Sequence, residues 1–384
     1  MSDHNIYLDY ASTTPIDRKV LEAMLPYFEE KYGNAESHHK KGQEAKIAID
    51  KARATIAKVL NCQSREIIFC GTATEANNLA IFGSARANKS KGKHLITSLI
   101  EHSSVRGPFK KLEEEGFEVT YLEVDREGFI NPRDLETHIR PDTTFVSIMQ
   151  ANNEIGTIEP IKELAEICKK HGVIFHTDAC QSAGAESIDT QELKVDLITI
   201  NGSKIYGPKG IGVLYLKNDT NIEPLIYGSG SHERGLRAGT HNIPAIVGMA
   251  KALELIQQNR EQENQRLKTL RNNLIDNLLA SIPHSHLNGP REKRLPNNVN
   301  ISIDDINSQE LMLLLDEAGI YVSTGAACNV GTTRPSNTLR AIGLSTTQLH
   351  SSIRMTIGKY TNQEDLDYVI NTLPEVVEKL RMNS

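Results

Sequence analysis

Apolar and polar positions along this chain follow two different periods. From about residue 40 to 216, stretches with an apolar stripe recurring at helical spacing trade places with short apolar runs bounded by turn residues. The first kind predicts helices at 40–59, 75–88 and 104–115, and the second predicts strands at 66–70, 94–98, 118–123, 144–150, 173–178, 195–200 and 211–216. Helices alternating with strands imply an α/β fold, a mainly parallel sheet covered by helices. After Pro244 the helical period runs on to about residue 280, with no further proline before Pro283, so one long amphipathic helical region joins two domains. Beyond it, short strands near 297–303, 320–323 and 351–357 mix with helices near 308–317 and 363–381, which predicts a smaller α+β domain. The expected division is an N-terminal segment 1–14 associated with the small domain and the site, a large domain 15–255, and a small domain 256–384. The stretch 281–300, with Pro283, Pro290 and Pro296, gives few structural cues.

Open sheets of this kind bind ligands beyond the carboxyl ends of their strands. Gly71-Thr72-Ala73-Thr74-Glu75, Asn152-Asn153-Glu154, Asp178 and Lys204 all fall at such ends. Asp178 closes the apolar run Val173-Ile174-Phe175-His176-Thr177, and taken alone it reads as a carboxylate capping a turn. Lys204 follows the next run through Asn201-Gly202-Ser203 and taken alone reads as a surface lysine. Together they are the two groups that pyridoxal phosphate (PLP) takes from a protein, an anion for the pyridinium nitrogen and an amine for the aldehyde. The small residues flanking Lys204 would let a bulky cofactor approach the backbone. Ala73 and Thr74 open a helix whose dipole favours an anion, although a threonine cap explains the same residues equally well. His102 stands where a strand gives way to a helix, as a cap or as a proton-exchanging imidazole. Arg354, on a strand of the small domain, reads as a structural ion pair or as a fork for a carboxylate.

Composition narrows the function classes. The chain has 384 residues, 39% hydrophobic and 24% charged, and no apolar run near the roughly 20 residues of a membrane span. Its start, Met1-Ser2-Asp3-His4-Asn5, lacks the apolar core of a secretory signal, so a cytoplasmic location is expected. Lys and Arg total 43 against 49 Asp and Glu, which gives no strong nucleic-acid signal. The five cysteines form no C-x-x-C pair and no zinc-like spacing, so neither a disulfide framework nor a metal site is expected. Cys62, Cys70, Cys168 and Cys180 read as small buried hydrophobes. Cys328 differs, because it sits among small residues in Thr324-Gly325-Ala326-Ala327-Cys328-Asn329-Val330-Gly331, an exposed and mobile setting.

With these residues in view, the chain resembles, nearly end to end, the PLP-dependent cysteine desulfurases of the NifS/IscS type, within the fold-type I, class V aminotransferase group. The resemblance rests on Tyr7-Leu8-Asp9-Tyr10-Ala11-Ser12-Thr13-Thr14-Pro15, Ala73-Thr74-Glu75, Glu101-His102, Asn152-Asn153-Glu154-Ile155-Gly156, Asp178-Ala179-Cys180-Gln181-Ser182, Lys204-Ile205-Tyr206-Gly207-Pro208, Arg237-Ala238-Gly239-Thr240 and Ser351-Ser352-Ile353-Arg354. It implies Lys204 as the Schiff-base lysine, Asp178 on the ring nitrogen, Gln181 on the phenolic oxygen and His102 stacked on the ring. It further implies Ala73, Thr74, Asn201 and Ser203 at the phosphate, with Thr240 arriving from the second subunit of a homodimer. Asn153 and Arg354 would hold the carboxylate of L-cysteine, with Asn34 nearby. Cys328 would take the sulfur as a persulfide and pass it to an acceptor or iron–sulfur scaffold protein, or toward tRNA or DNA thiolation, leaving alanine. Two features depart from the pattern: Ser203 stands where the family usually has histidine, and the loop around Cys328 lacks the commoner serine-rich sequence. A selenocysteine lyase, an aminotransferase of the same fold and a weakly active scaffold for sulfur-transfer partners are the rival expectations.

Overall fold

A computed structural model describes residues 4–228, 232–324 and 336–383. Its largest sheet has seven strands, in the order Ile67–Cys70, Gly212–Leu216, Leu197–Asn201, Ile174–Asp178, Thr143–Ser147, His94–Ser98 and Glu118–Leu122. Gly212–Leu216 runs antiparallel to both its neighbours, and the other pairings are parallel. The exception has a simple cause. Only about ten residues separate Asn201 from Gly212, fewer than the dozen or more that a parallel crossover requires. The central strands are buried along their whole length, which explains their continuous apolar runs.

Helices pack on both faces. Lys40–Val59 buries Ala45, Ile49, Ala52 and Ile56 at helical spacing against the sheet. Ala73–Ala87 covers the other face with Leu79, Ala80 and Ile81. The helix Ile243–Ser281 runs 39 residues. Its first half contributes Ile246, Met249 and Leu253 to the core of the large sheet. Its second half contributes Leu270, Leu274 and Leu278 to a second core, together with Val299, Ile301 and Ile353.

That second core lies on a four-stranded antiparallel sheet, in the order Ser323–Thr324, Ser352–Thr356, Asn298–Ile303 and Ser285–Leu287. The last strand lies in the stretch that gave few cues. Near the N-terminus, Ile6–Tyr7 pairs in parallel with Ile320–Tyr321, and Ile6 and Leu8 are buried in the second core. The chain then passes between the two cores, where Thr14 N–H donates to the Ser203 carbonyl at 2.9 Å. No helix among the described residues is long and apolar enough to cross a membrane.

Candidate active site

Parallel strands bring their carboxyl ends to one edge of the sheet, and the predicted residues gather there. Asp178 ends one strand, and Lys204 closes the single 3-10 turn Gly202–Lys204 that follows the neighbouring strand. His102 caps the helix Ser103–Glu114, which follows the strand His94–Ser98. A cavity of about 300 Å³ opens between them, lined by Asp178, Gln181, Lys204, His102 and Asn201. Ala73 and Thr74 line one side, and Asn153 and Arg354 another. Three expected residues lie elsewhere. Asn34 is exposed and accepts the Glu36 N–H at 3.0 Å, Thr240 is exposed, and Ser203 spends its hydroxyl on Asn201 Oδ1 at 3.0 Å. Cys328 lies outside the described residues.

The flanks of the Cys328 segment are nevertheless fixed close to the cavity. On one side Ser323 is the register partner of Arg354. On the other, Ser336 Oγ donates to Glu154 Oε2, next to Asn153.

Asp178 is 6% exposed. Its oxygens accept from Asn77 Nδ2 at 2.7 Å and from the Cys180 N–H at 2.9 Å, both neutral donors. Asp178 has no salt bridge within 4.0 Å among the described residues, the situation in which a buried carboxylate calls for a cation. A protonated pyridine nitrogen fits that need. At the start of the helix Ala73–Ala87, Thr72 accepts the Glu75 N–H at 3.1 Å, while the N–H groups of Ala73 and Thr74 come too early for intrahelical partners. The capping and anion-binding readings therefore coexist.

The N-terminal residues fill a role that the sequence did not spell out. The Ala11 carbonyl accepts from Gln181 Nε2 at 2.9 Å and from Lys204 Nζ at 2.7 Å, and the Ser12 carbonyl also accepts from Lys204. Arg354, 3% exposed, donates to Asp9 at 2.8 Å, to Ser12 Oγ at 3.0 Å and to the Asn153 carbonyl at 3.0 Å. Both readings of Arg354 meet here: it has a structural ion pair, and its buried Nε lacks an acceptor among the described residues.

The glycines beside Lys204 have a purpose besides the one expected. A Cβ on Gly202 would come within 2.7 Å of Ile211 Cγ2 and the Pro208 carbonyl, and one on Gly207 within 2.8 Å of the Gly202 carbonyl. They make room for the chain's own turn.

Burial lowers the His102 imidazole below its usual range; Asp178 opposes this, and Lys204 and Arg106 reinforce it. Three further groups at the site escaped the sequence reading. Cys180 lines the cavity beside Asp178 and is partly accessible. Asn77 and Ser104 stand behind it with side chains that pattern alone assigns to the first turns of helices. Their signal was present only in a polar side chain kept inside an apolar helix face.

The chain matches the Aminotransferase class-V family over residues 6–369. It is 49% identical over 376 residues to the Cysteine desulfurase IscS of Dictyoglomus turgidum, covering 98% of this chain and 95% of the relative. The chain belongs to the cysteine desulfurases of the class V aminotransferase family. Among solved structures, a NifS-like protein aligns with a TM-score of 0.92 at 36% identity, covering 98% of this chain and all of the other. A structure described as SspA in complex with cysteine aligns with a TM-score of 0.81 at 34% identity, over 93% of this chain and all of the other. The resemblance read from the motifs is thereby borne out for family, fold and enzyme class. Cysteine desulfurases are PLP-dependent, which agrees with the donor set around the cavity.

Proposed function

We propose that the 300 Å³ cavity binds PLP and that this cytoplasmic homodimer converts L-cysteine to alanine, with Cys328 carrying the sulfur to an acceptor protein. The observation that carries the reading is the buried Asp178 carboxylate, which accepts from neutral donors and has no salt bridge among the described residues, on the strand next to the one that leads to Lys204. The SspA structure, determined with cysteine, supports the substrate.

Each residue then has a task. Asp178 would hold the ring nitrogen protonated, and Gln181 Nε2, now on the Ala11 carbonyl, would serve the phenolic oxygen. The Ala73 and Thr74 N–H groups, with Asn201, take the phosphate. PLP, when bound, supplies an aldehyde for the substrate amine and a ring that holds charge from the α-carbon. Lys204 Nζ would be the amine that holds the aldehyde and, once released, the base that would take the substrate α-proton. Arg354 and Asn153 orient the cysteine carboxylate. The Cys328 thiolate attacks the substrate sulfur, the carbon–sulfur bond breaks with its electron pair going to carbon, and protonation yields alanine. The persulfide left on Cys328 passes its outer sulfur to an acceptor thiol.

An absorbance spectrum of the purified protein tests the reading, followed by assays of alanine and sulfide after addition of L-cysteine and a thiol. A yellow protein that releases both products, and a Cys328→Ala variant that releases neither above background, are the expected results. A protein that stays colourless with added PLP would sink it, and equal product release by the Cys328→Ala variant would remove Cys328 from the mechanism.

A further inference from the structure

The hydrogen bonds behind Asp178 and His102 form one continuous chain. Asn77, 0% exposed on the helix Ala73–Ala87, donates from Nδ2 to Asp178 Oδ2 at 2.7 Å and to Ser104 Oγ at 2.9 Å. Both amide protons are thereby used. Having accepted from Asn77, Ser104 Oγ still has its own proton, and His102 Nδ1 lies 2.8 Å away. The Ser104 backbone N–H points at the same nitrogen from 3.2 Å. A backbone N–H can only donate, so Nδ1 presents its lone pair and the neutral imidazole has its proton on Nε2.

We propose that Asn77 and Ser104 are positioning residues that clamp Asp178 and His102 to each other and hold His102 as the neutral Nε2–H tautomer. His102 then exchanges protons with its surroundings through Nε2. A proton on Nδ1 would face two donors, the Ser104 N–H and hydroxyl, and one of these bonds would have to break. The charged groups acting on the ring are Asp178, which favours the cation, and Lys204 and Arg106, which oppose it. Asn77 has a second effect on Asp178. With the Cys180 N–H on Oδ1 and Asn77 on Oδ2, the plane of the carboxylate is fixed from behind. The contribution of this clamp to the reaction rests on PLP occupying the cavity; the tautomer itself does not.

Nitrogen-15 NMR of the full chain, labelled at histidine and recorded with and without PLP, tests the clamp, with His102→Gln identifying the His102 signals. We expect a pyridine-like Nδ1 and a pyrrole-like Nε2 in the wild type, already present without PLP. Ser104→Ala should raise the imidazole pKa by about half a unit to one unit, because a donor to the neutral form is lost, and Ser104→Thr should restore it. Asn77→Ala should weaken PLP binding about ten-fold, the effect of one lost hydrogen bond to a charged group. Circular dichroism would confirm that each variant is folded. A wild-type ring protonated on Nδ1 would overturn the inference, as would a titration unmoved in Ser104→Ala. The two ideas fail separately: absence of PLP uptake sinks the cofactor reading, and the PLP-free spectrum decides the tautomer.

Discussion

Asp178 illustrates how much of a residue's meaning lies in its neighbours. A carboxylate after a strand is commonplace; what suits this one to a cofactor is that it has no salt bridge among the described residues, with Lys204 just beyond the adjacent strand. Replacing it tests that argument. In Asp178→Asn the geometry persists while the charge is lost, so the ring nitrogen forfeits a charge-assisted bond. PLP affinity should fall about 10- to 100-fold, and turnover should fall further because the ring then withdraws electrons less strongly. Titrating absorbance with PLP and measuring alanine release would check both, and unchanged affinity would remove Asp178 from the ring nitrogen. Asp178, Lys204, His102 and Arg354 were legible because each lies on a strand or in the short turn that follows one, in a recognisable motif. Asn77 and Ser104 were not. A polar residue in the first turns of a helix looks the same in sequence whether it caps the helix or reaches across to another strand.

Secondary elements were easier to read than the contacts between them. The helix expected at 40–59 spans Lys40–Val59, and the long helix expected at 245–280 spans Ile243–Ser281. The helix expected from 75 begins at Ala73, because Thr72 is its cap. The orientation of Gly212–Leu216 depended on connection length rather than on pattern. Glu101 is a further contact of this hidden kind. It is 3% exposed, and its Oε1 accepts from Ser98 Oγ at 2.8 Å and from the Met149 N–H at 2.9 Å, tying the end of one strand to the segment that follows another. Burial pushes its carboxyl up to about 8; the Met149 and Ser98 bonds pull it down and Asp178 adds to the rise. The folded protein therefore keeps a proton that the unfolded chain loses near pH 4.5. Stability from this group is full below that pH and declines as pH rises toward 8. Glu101→Gln removes the titration. Its Tm relative to wild type should gain a few degrees between pH 5 and pH 8, and calorimetry showing a pH-independent difference would refute the buried proton.

At the scale of the whole molecule, the cavity lies where two apolar cores meet, joined by one helix and by the N-terminal segment that threads between them. Thr240 is one of three expected contributors that stay outside it, and its position favours a second subunit. Thr240 belongs to a segment pinned from behind. Glu233 accepts from Arg53 and His241, and Arg237 is paired with Glu75 at 2.9 Å. Burial alone would raise the Glu233 carboxyl, but these hydrogen bonds outweigh it and bring it to about 2. A segment so held cannot fold Thr240 back into its own cavity without breaking these ion pairs, which agrees with the proposal that Thr240 reaches a neighbour's site. An apolar stripe would give a second subunit a surface to cover. Leu21, Leu25 and Phe28, 41%, 55% and 57% exposed, follow one another at helical spacing, with Tyr32 just beyond at 68%. Exposed apolar side chains in such a run are the kind of surface that a subunit contact covers. The double variant Leu25→Asp, Phe28→Asp should sediment as a monomer while the wild type sediments as a dimer, because burying two carboxylates would cost more than the lost apolar contact. If Thr240 reaches the partner's phosphate, the monomer should also bind PLP about ten-fold more weakly, and a Thr240→Val dimer should show the same loss with its assembly intact. A monomer that binds PLP as tightly as the dimer would confine the phosphate site to one chain.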